Sequence, residues 1–262
     1  MKNFAISLCV LLFLAPATIL SQEITEPAKD KPVLYINTNV SWAIGEVTKS
    51  FSDFIALAEA EGFEVDHGYL NRITDSFLEG IDVLMIYSPG NYFLDSDKAA
   101  IRRFLRGGGS LLMIPAHSWF FDDLSNIGSL IEEYGIGIGP EHYNSNILGN
   151  VPADCPMAGP EKCKKVELRH SRVCLVVDKK YARSVIDLTD GQIGGAICTN
   201  PKRIGKGKLV VLGNSLQSYQ YQDNRAFNIN MLKYLYGSFD INVLLTKVKG
   251  RRRSLYRTFN YT

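Results

Sequence analysis

Past its first twenty residues the sequence has no apolar run long enough to cross a membrane, which takes about 20 residues. It has no CxxC or HxxxH pair, and its four histidines are scattered, which excludes the usual spacings of a zinc site. G-x-S-x-G is absent, and Gly205-Lys-Gly-Lys lacks the spacing and the following Ser or Thr of a phosphate loop. Net charge is scarce as well. Against 27 acids stand 29 Lys and Arg, a balance of +2 over 262 residues, too small for a protein built mainly to hold nucleic acid. What the chain does have is apolar material: 46% hydrophobic and 21% charged residues, with 22 Gly and 10 Pro, describe a globular chain with a sizeable core.

The N-terminus reads as a secretory signal peptide over residues 1–21. Lys2 supplies the positive region, Phe4 to Leu14 the apolar run, and Ala15-Pro16-Ala17 or Ile19-Leu20-Ser21 the small-residue cleavage site. The expected location is therefore secreted or periplasmic. Export leaves Cys155, Cys163, Cys174 and Cys198, an even set with three possible connectivities. The preferred expectation joins Cys155 to Cys163 across the loop DCPMAGPEKC and Cys174 to Cys198 between two strands. Asn39 and Asn260 begin glycosylation sequons that count only in a eukaryote.

Charge is unevenly placed. Residues 241–262 carry six Lys and Arg and no acid; with Lys2 and this +6 set aside, the total of +2 leaves −5 for residues 22–240. The basic tail is a candidate contact for an anionic partner.

After a polar leader (22–32), the periodicity alternates. Val33 to Asn37 reads as a strand, Ile44 to Glu61 as a helix, Phe63 to His67 and Ile81 to Tyr87 as strands. Asp95 to Arg106 follows as a helix capped by Asp95 or Ser96, which also explains Asp95-x-Asp97 without a metal. Ser110 to Pro115 is a strand, and a helix is expected between Phe121 and Tyr134. Gly135-Ile-Gly-Ile-Gly139 reads as helix termination and a tight turn. A β-rich insertion (about 143–207) includes runs at Val173–Val177 and Ser184–Leu188. Lys208 to Gly213 is then a strand and Ala226 to Tyr236 a helix. Together they predict one doubly wound α/β domain over 33–240, its sheet mostly parallel and covered on both faces.

Four stretches in order carry a family resemblance: Phe104-Leu-Arg-Gly-Gly-Gly-Ser-Leu-Leu-Met-Ile114, Ile131-Glu-Glu-Tyr-Gly-Ile136, Gly205-Lys-Gly-Lys-Leu-Val-Val-Leu-Gly-Asn-Ser215 and Asp223-Asn-Arg-Ala-Phe-Asn-Ile-Asn-Met-Leu232. The chain resembles the class I glutamine-amidotransferase-like superfamily, in its non-amidotransferase branches: uncharacterised exported bacterial and archaeal domains and the GIFT domain of intraflagellar transport proteins. Trehalose-utilisation-type domains are more distant. The resemblance implies a flavodoxin-like sheet over roughly Val33 to Tyr236. It also implies where a nucleophilic Cys would stand in a catalytic member, on the elbow after the fourth strand. Here that stretch is Ile114-Pro115-Ala116-His117-Ser118-Trp119, with no Cys. The later His and acid are not recognisable either, because Asn214-Ser215-Leu216-Gln217 follows the last strand. Amidotransferase chemistry is not expected.

In open α/β sheets, ligands bind outside the carboxyl ends of the strands, near the switch in strand order. The residues expected there are Asn37, Thr38, Ser88, Asn91, His117, Ser118, Asn214 and Ser215, with Tyr92, Trp119 and Phe120 able to stack on a ring. Amides, hydroxyls and aromatics suit a small neutral ligand, a carbohydrate in particular, better than a phosphate. A glycan on Asn39 would crowd this crevice. Three expectations follow: a non-catalytic domain that binds a ligand or partner without cofactor or metal; a hydrolase using His117 with Ser118 or a bound water; or an interaction module that docks through its basic tail.

Overall fold

A computed structural model of the chain describes residues 31–38, 51–87, 93–115, 125–143, 146–160, 162–168, 172–214 and 222–237. The strands among them are β1 (Val33–Thr38), β2 (Glu64–Gly68), β3 (Val83–Tyr87), β4 (Ser110–Ile114), β5 (Ile136–Tyr143), β6 (Ile147–Asn150), β7 (Lys165–Leu168), β8 (Arg172–Val177), β9 (Ala182–Leu188), β10 (Ile193–Cys198) and β11 (Lys208–Leu212). The helices are α1 (Ser52–Ala60), α2 (Asp75–Leu78), α3 (Asp95–Gly107), α4 (Ser125–Ile131), α5 (Pro201–Ile204) and α6 (Gln222–Tyr236).

One sheet runs β2-β1-β3-β4-β11-β10-β9-β6-β7, with β8 joined to β10 and β5 to β8. Its first five strands are all parallel, and every later pairing is antiparallel. The sheet is therefore doubly wound and mostly parallel at its core, as the alternation of apolar runs and amphipathic stretches predicts. The order 2-1-3-4 places the topological switch between β1 and β3.

The central strands are apolar throughout because both their faces are covered. Leu34, Ile36, Val83, Met85, Leu112, Ile114, Val210 and Leu212 face α1 and α6, sharing a core with Phe54, Phe227 and Leu232. Their alternates Tyr35, Leu84, Ile86, Leu111, Met113, Leu209 and Val211 face α3 and α4, with Ile101, Leu105, Leu130 and Ile131. Edge strand β2 exposes Glu64 and Asp66 to solvent, charges that discourage pairing with another chain.

The helix over 95–107 is amphipathic and ends at Gly108, whose φ of 118° lies in the left-handed region. Its N-cap is Leu94 rather than Asp95 or Ser96. Asp97, not either expected cap, folds back, its carboxylate accepting from the Leu94 backbone N–H at 2.9 Å. Gly207, just before β11, is a forced glycine: a Cβ there would lie 2.5 Å from the Leu105 carbonyl oxygen and collide with that of Gly109.

The β-rich segment begins at Ile136, earlier than expected. Gly135 does end a helical turn in the left-handed region, φ 81°, but Gly137 and Gly139 then run within β5 instead of forming a tight turn. Strands β6 and β7 and helices α2 and α5 have no counterpart among the expected elements, whereas β10 answers to the strand expected at Cys198. The expected bridges are not formed either: Cys155, Cys163 and Cys198 are free, buried thiols. The Cys155 sulfur accepts from the Met157 N–H at 3.3 Å, and the Cys163 thiol donates to the Asp223 carbonyl at 3.3 Å. Cys174 adjoins Leu175, whose partner Ile193 is at the opposite end of β10 from Cys198. In this antiparallel pair Cys174 therefore falls nearest Gly194, and the four residues of strand from there to Cys198, roughly 13 Å, exceed the reach of a disulfide.

The sheet's far edge is closed by a helix rather than a strand. Asn224 of α6, fully buried, accepts from the Glu167 N–H through Oδ1 at 2.8 Å and donates to the Glu167 carbonyl through Nδ2 at 2.9 Å. Its amide occupies the place of a neighbouring strand's peptide group on β7. Asp223 adds bonds from the backbone N–H groups of Lys164 and Lys165 at 3.2 and 3.1 Å.

Candidate functional site

The parallel topology brings the carboxyl ends of β1, β3, β4 and β11 to one edge, and the register aligns Asn37 with Ile86 and Thr38 with Tyr87 at the switch point. Of the expected site residues, Asn37, Thr38 and Asn214 are described. Ser88, Asn91, His117, Ser118 and Ser215 lie outside the described residues, as do Tyr92, Trp119, Phe120, Asn39, Asn260, the signal segment and the basic tail. Asn214 follows β11 by two residues and is half-buried. Strands β3 and β4 stand between β1 and β11, so Asn37 and Asn214 share an edge about 14 Å apart.

Asn37 is fully buried. Alternation puts its side chain on the same face as Tyr35, where Oδ1 accepts from the Leu70 N–H at 3.2 Å, tying the chain after β2 to the end of β1. Its Nδ2 has no hydrogen-bond partner among the described residues. A buried amide donor left unpaired costs about 1–3 kcal/mol, and this one stands at the topological switch point of the sheet.

Three further contacts pin the rim on this face. The Asp97 carboxylate, 2% exposed, accepts from Arg72 Nε and the Ile73 N–H, both at 3.1 Å, as well as from Leu94. Asn126 exchanges two bonds with the Phe93 backbone, at 2.8 and 3.2 Å. Lys98, buried on α3, donates to the Ser129 hydroxyl on α4 at 2.7 Å. Segments that follow β2, β3 and β4 are thereby held to one another. Sequence reasoning misses Lys98 because a lysine in an amphipathic helix ordinarily lies on the solvated face. Close by, Tyr87 has its phenol pushed up by burial, and Tyr35 by burial and then by the Asp66 carboxylate.

A catalytic cysteine has no counterpart here. None of the five cysteines follows β4 directly, where the elbow would stand. Burial pushes the Cys155 and Cys163 thiols up to about 12 and raises Cys198 as well, whereas a nucleophilic thiol is exposed and shifted down. Among the described residues no group of three His, Cys, Asp or Glu could hold a metal ion, and no helix is long and apolar enough to cross a membrane.

No family model matches the chain, and neither does any curated protein. Solved structures do. The mmIFT52 N-terminal domain superposes with a TM-score of 0.59 at 18% identity, covering 78% of this chain and 97% of its own. A ThuA-like protein from Bacteroides uniformis gives 0.52 at 12% identity, over 83% of this chain and 96% of its own. A GMP synthase protein from Thermoplasma acidophilum gives 0.51 at 11% identity, over 84% of this chain and 98% of its own. These likenesses extend across nearly the whole of each neighbour, and with the strand order above they show that the chain shares the flavodoxin-like fold of these structures.

Proposed function

We infer that the chain is an exported, non-catalytic amidotransferase-like domain that binds a small uncharged polar ligand, a carbohydrate, at the carboxyl edge of its parallel strands. The observation that carries this reading is Asn37: a fully buried amide at the β1/β3 switch point whose Nδ2 has no partner among the described residues. A ligand hydroxyl or carbonyl oxygen would satisfy that donor. Asn214 on the same edge adds a second amide. The lack of a cysteine at the elbow after β4 and the raised thiols elsewhere support a binding role over amidotransferase chemistry. Export rests on the sequence of residues 1–21.

The test is a thermal-shift screen of the purified chain against neutral mono- and disaccharides, with sugar phosphates and nucleotides as the contrast. A sugar at a hundred times its dissociation constant adds about 2.7 kcal/mol, a rise of roughly 5–10 °C for a domain this size. The expected hit is lost in Asn214→Ala, read as the shift relative to that variant's own unliganded Tm. A flat response to every neutral sugar, or a response to phosphates alone, overturns the reading. Turnover of a hit, abolished in His117→Ala, would assign a hydrolase instead.

A further inference from the structure

The opposite edge of the sheet, at the amino ends of the parallel strands, carries a different chemistry. There α3 ends beside α5, whose trailing residues bond back to it: Gly207 N–H to the Leu105 carbonyl at 2.8 Å, Lys206 N–H to the Arg106 carbonyl at 3.5 Å. The turn between β8 and β9 closes against the same place, with Tyr181 at its end. The Arg203 guanidinium lies 4.2 Å from the centre of the Tyr181 ring and donates to the Glu133 carbonyl at 2.8 Å; Lys180 Nζ lies 4.9 Å from the same ring.

Six cations meet on this surface: Arg106, Lys179, Lys180, Lys202, Arg203 and Lys206, all exposed. None forms an ion pair with a carboxylate among the described residues, although Arg72, Arg102, Arg103, Arg183 and Lys233 all do. The nearby acids do little to neutralise them. Glu133 is taken by Arg102, and Asp178 turns its carboxylate to the Lys180 backbone N–H at 2.9 Å; Glu132 remains. Residues 22–240 are net acidic, so this concentration of positive charge runs against the trend of the domain that bears it.

We propose that this surface binds a sulfated polysaccharide. Four of the six cations are lysines, compact point charges that attract dense negative charge without demanding a planar partner. The guanidinium of Arg203 is already committed to Tyr181 and Glu133, which leaves little of the bidentate geometry that carboxylates favour. The cations sit on three separate elements and make no enclosed cradle, an arrangement that fits a repeating anion better than one phosphate. The Tyr181 ring is engaged by two cations and offers no free wedge to a lipid interface.

The test uses the full chain and a heparin dodecasaccharide as the probe, with polyglutamate and phosphatidylserine vesicles as contrasts, at several salt concentrations. The expected result is heparin binding that weakens about tenfold or more in the combined Lys179→Gln, Lys180→Gln, Lys202→Gln, Lys206→Gln variant, with the log–log salt slope reduced by about one for each cation lost. Circular dichroism and Tm should match the parent, because no carboxylate partner is removed. The combined Arg251→Gln, Arg252→Gln, Arg253→Gln variant should keep its affinity within about twofold if the tail is not the site. No heparin binding, equal binding to polyglutamate or vesicles, or loss in the tail variant with retention in the lysine variant would each overturn the proposal. The crevice residues are untouched by these substitutions, so failure here leaves the carbohydrate reading of the other edge standing.

Discussion

Replacing Asn224 with Ala should destabilise the domain by opening the last strand of its sheet. The side chain is fully buried and makes two bonds of 2.8 and 2.9 Å to the backbone of Glu167. Each such neutral bond contributes about 0.5–1.5 kcal/mol net, and backbone groups that lose a partner without full access to water cost more. The expected total is about 2–3 kcal/mol, or roughly 5–10 °C in Tm at this size. Urea titration would read the loss as a lower midpoint with an unchanged slope. Amide exchange would localise it, with the Glu167 N–H less protected in the variant. Asn224→Asp keeps the acceptor for Glu167 N–H but turns a carboxylate oxygen toward the Glu167 carbonyl. Burial raises the folded-state pKa of that new carboxyl, so the variant should be weakest at neutral pH and recover as pH falls, when a protonated oxygen can donate again. A loss below about 0.5 kcal/mol for Asn224→Ala, with Glu167 exchange unchanged, would refute the view that this amide stands in for a strand.

The described thiols should be inert in the folded chain. Because burial holds Cys155 and Cys163 at about 12, iodoacetamide at pH 8 should label Cys155, Cys163 and Cys198 only after denaturation; prompt native labelling of any of them would contradict their placement. Asp75 should titrate below the ordinary carboxylate range because it accepts hydrogen bonds from Arg103, at 2.9 and 2.7 Å. A depressed folded-state pKa stabilises above the unfolded pKa and loses that contribution as pH falls through the folded one. In Arg103→Gln, carboxyl NMR should show Asp75 moving back up toward about 3.9; an unmoved titration would remove the pair as the cause.

The parallel half of the fold is legible because strands buried on both faces leave unbroken apolar runs. Leu111 to Ile114 and Leu209 to Leu212 can hardly be read otherwise. The antiparallel half is legible mainly at β8 and β9, whose apolar runs stand out. Of its other strands, β6 and β10 carry glycines that packing, not propensity, selects. In β6, a Cβ on Gly149 would collide with the Ile186 side chain; in β10, one on Gly194 would come within 2.7 Å of Leu188. Seen in the sequence alone, such residues suggest turns, as Gly137 and Gly139 do although both lie in β5. Asn37 is recognisable from its place at a strand end, but its unpaired nitrogen and its bond to Leu70 depend on residues 33 positions apart. The cluster around Tyr181 is similarly non-local. It draws on Arg106, Lys180 and Arg203, and no short window of sequence contains all three.

Strand β11 fits between β4 and β10 although it follows β4 by nearly the whole antiparallel half. A chain emerging from the ribosome at 5–20 residues per second makes Ile114 roughly 5–20 s before Leu212. Throughout that interval the outer backbone row of β4 has no partner, and its apolar residues have only part of their cover. The nascent protein therefore passes through an obligatory open stage whose length is set by topology, when it is most in need of a chaperone's grip. For the export proposed above the same delay is useful, because a sheet that cannot close early leaves a polypeptide that can still be threaded through a translocation channel.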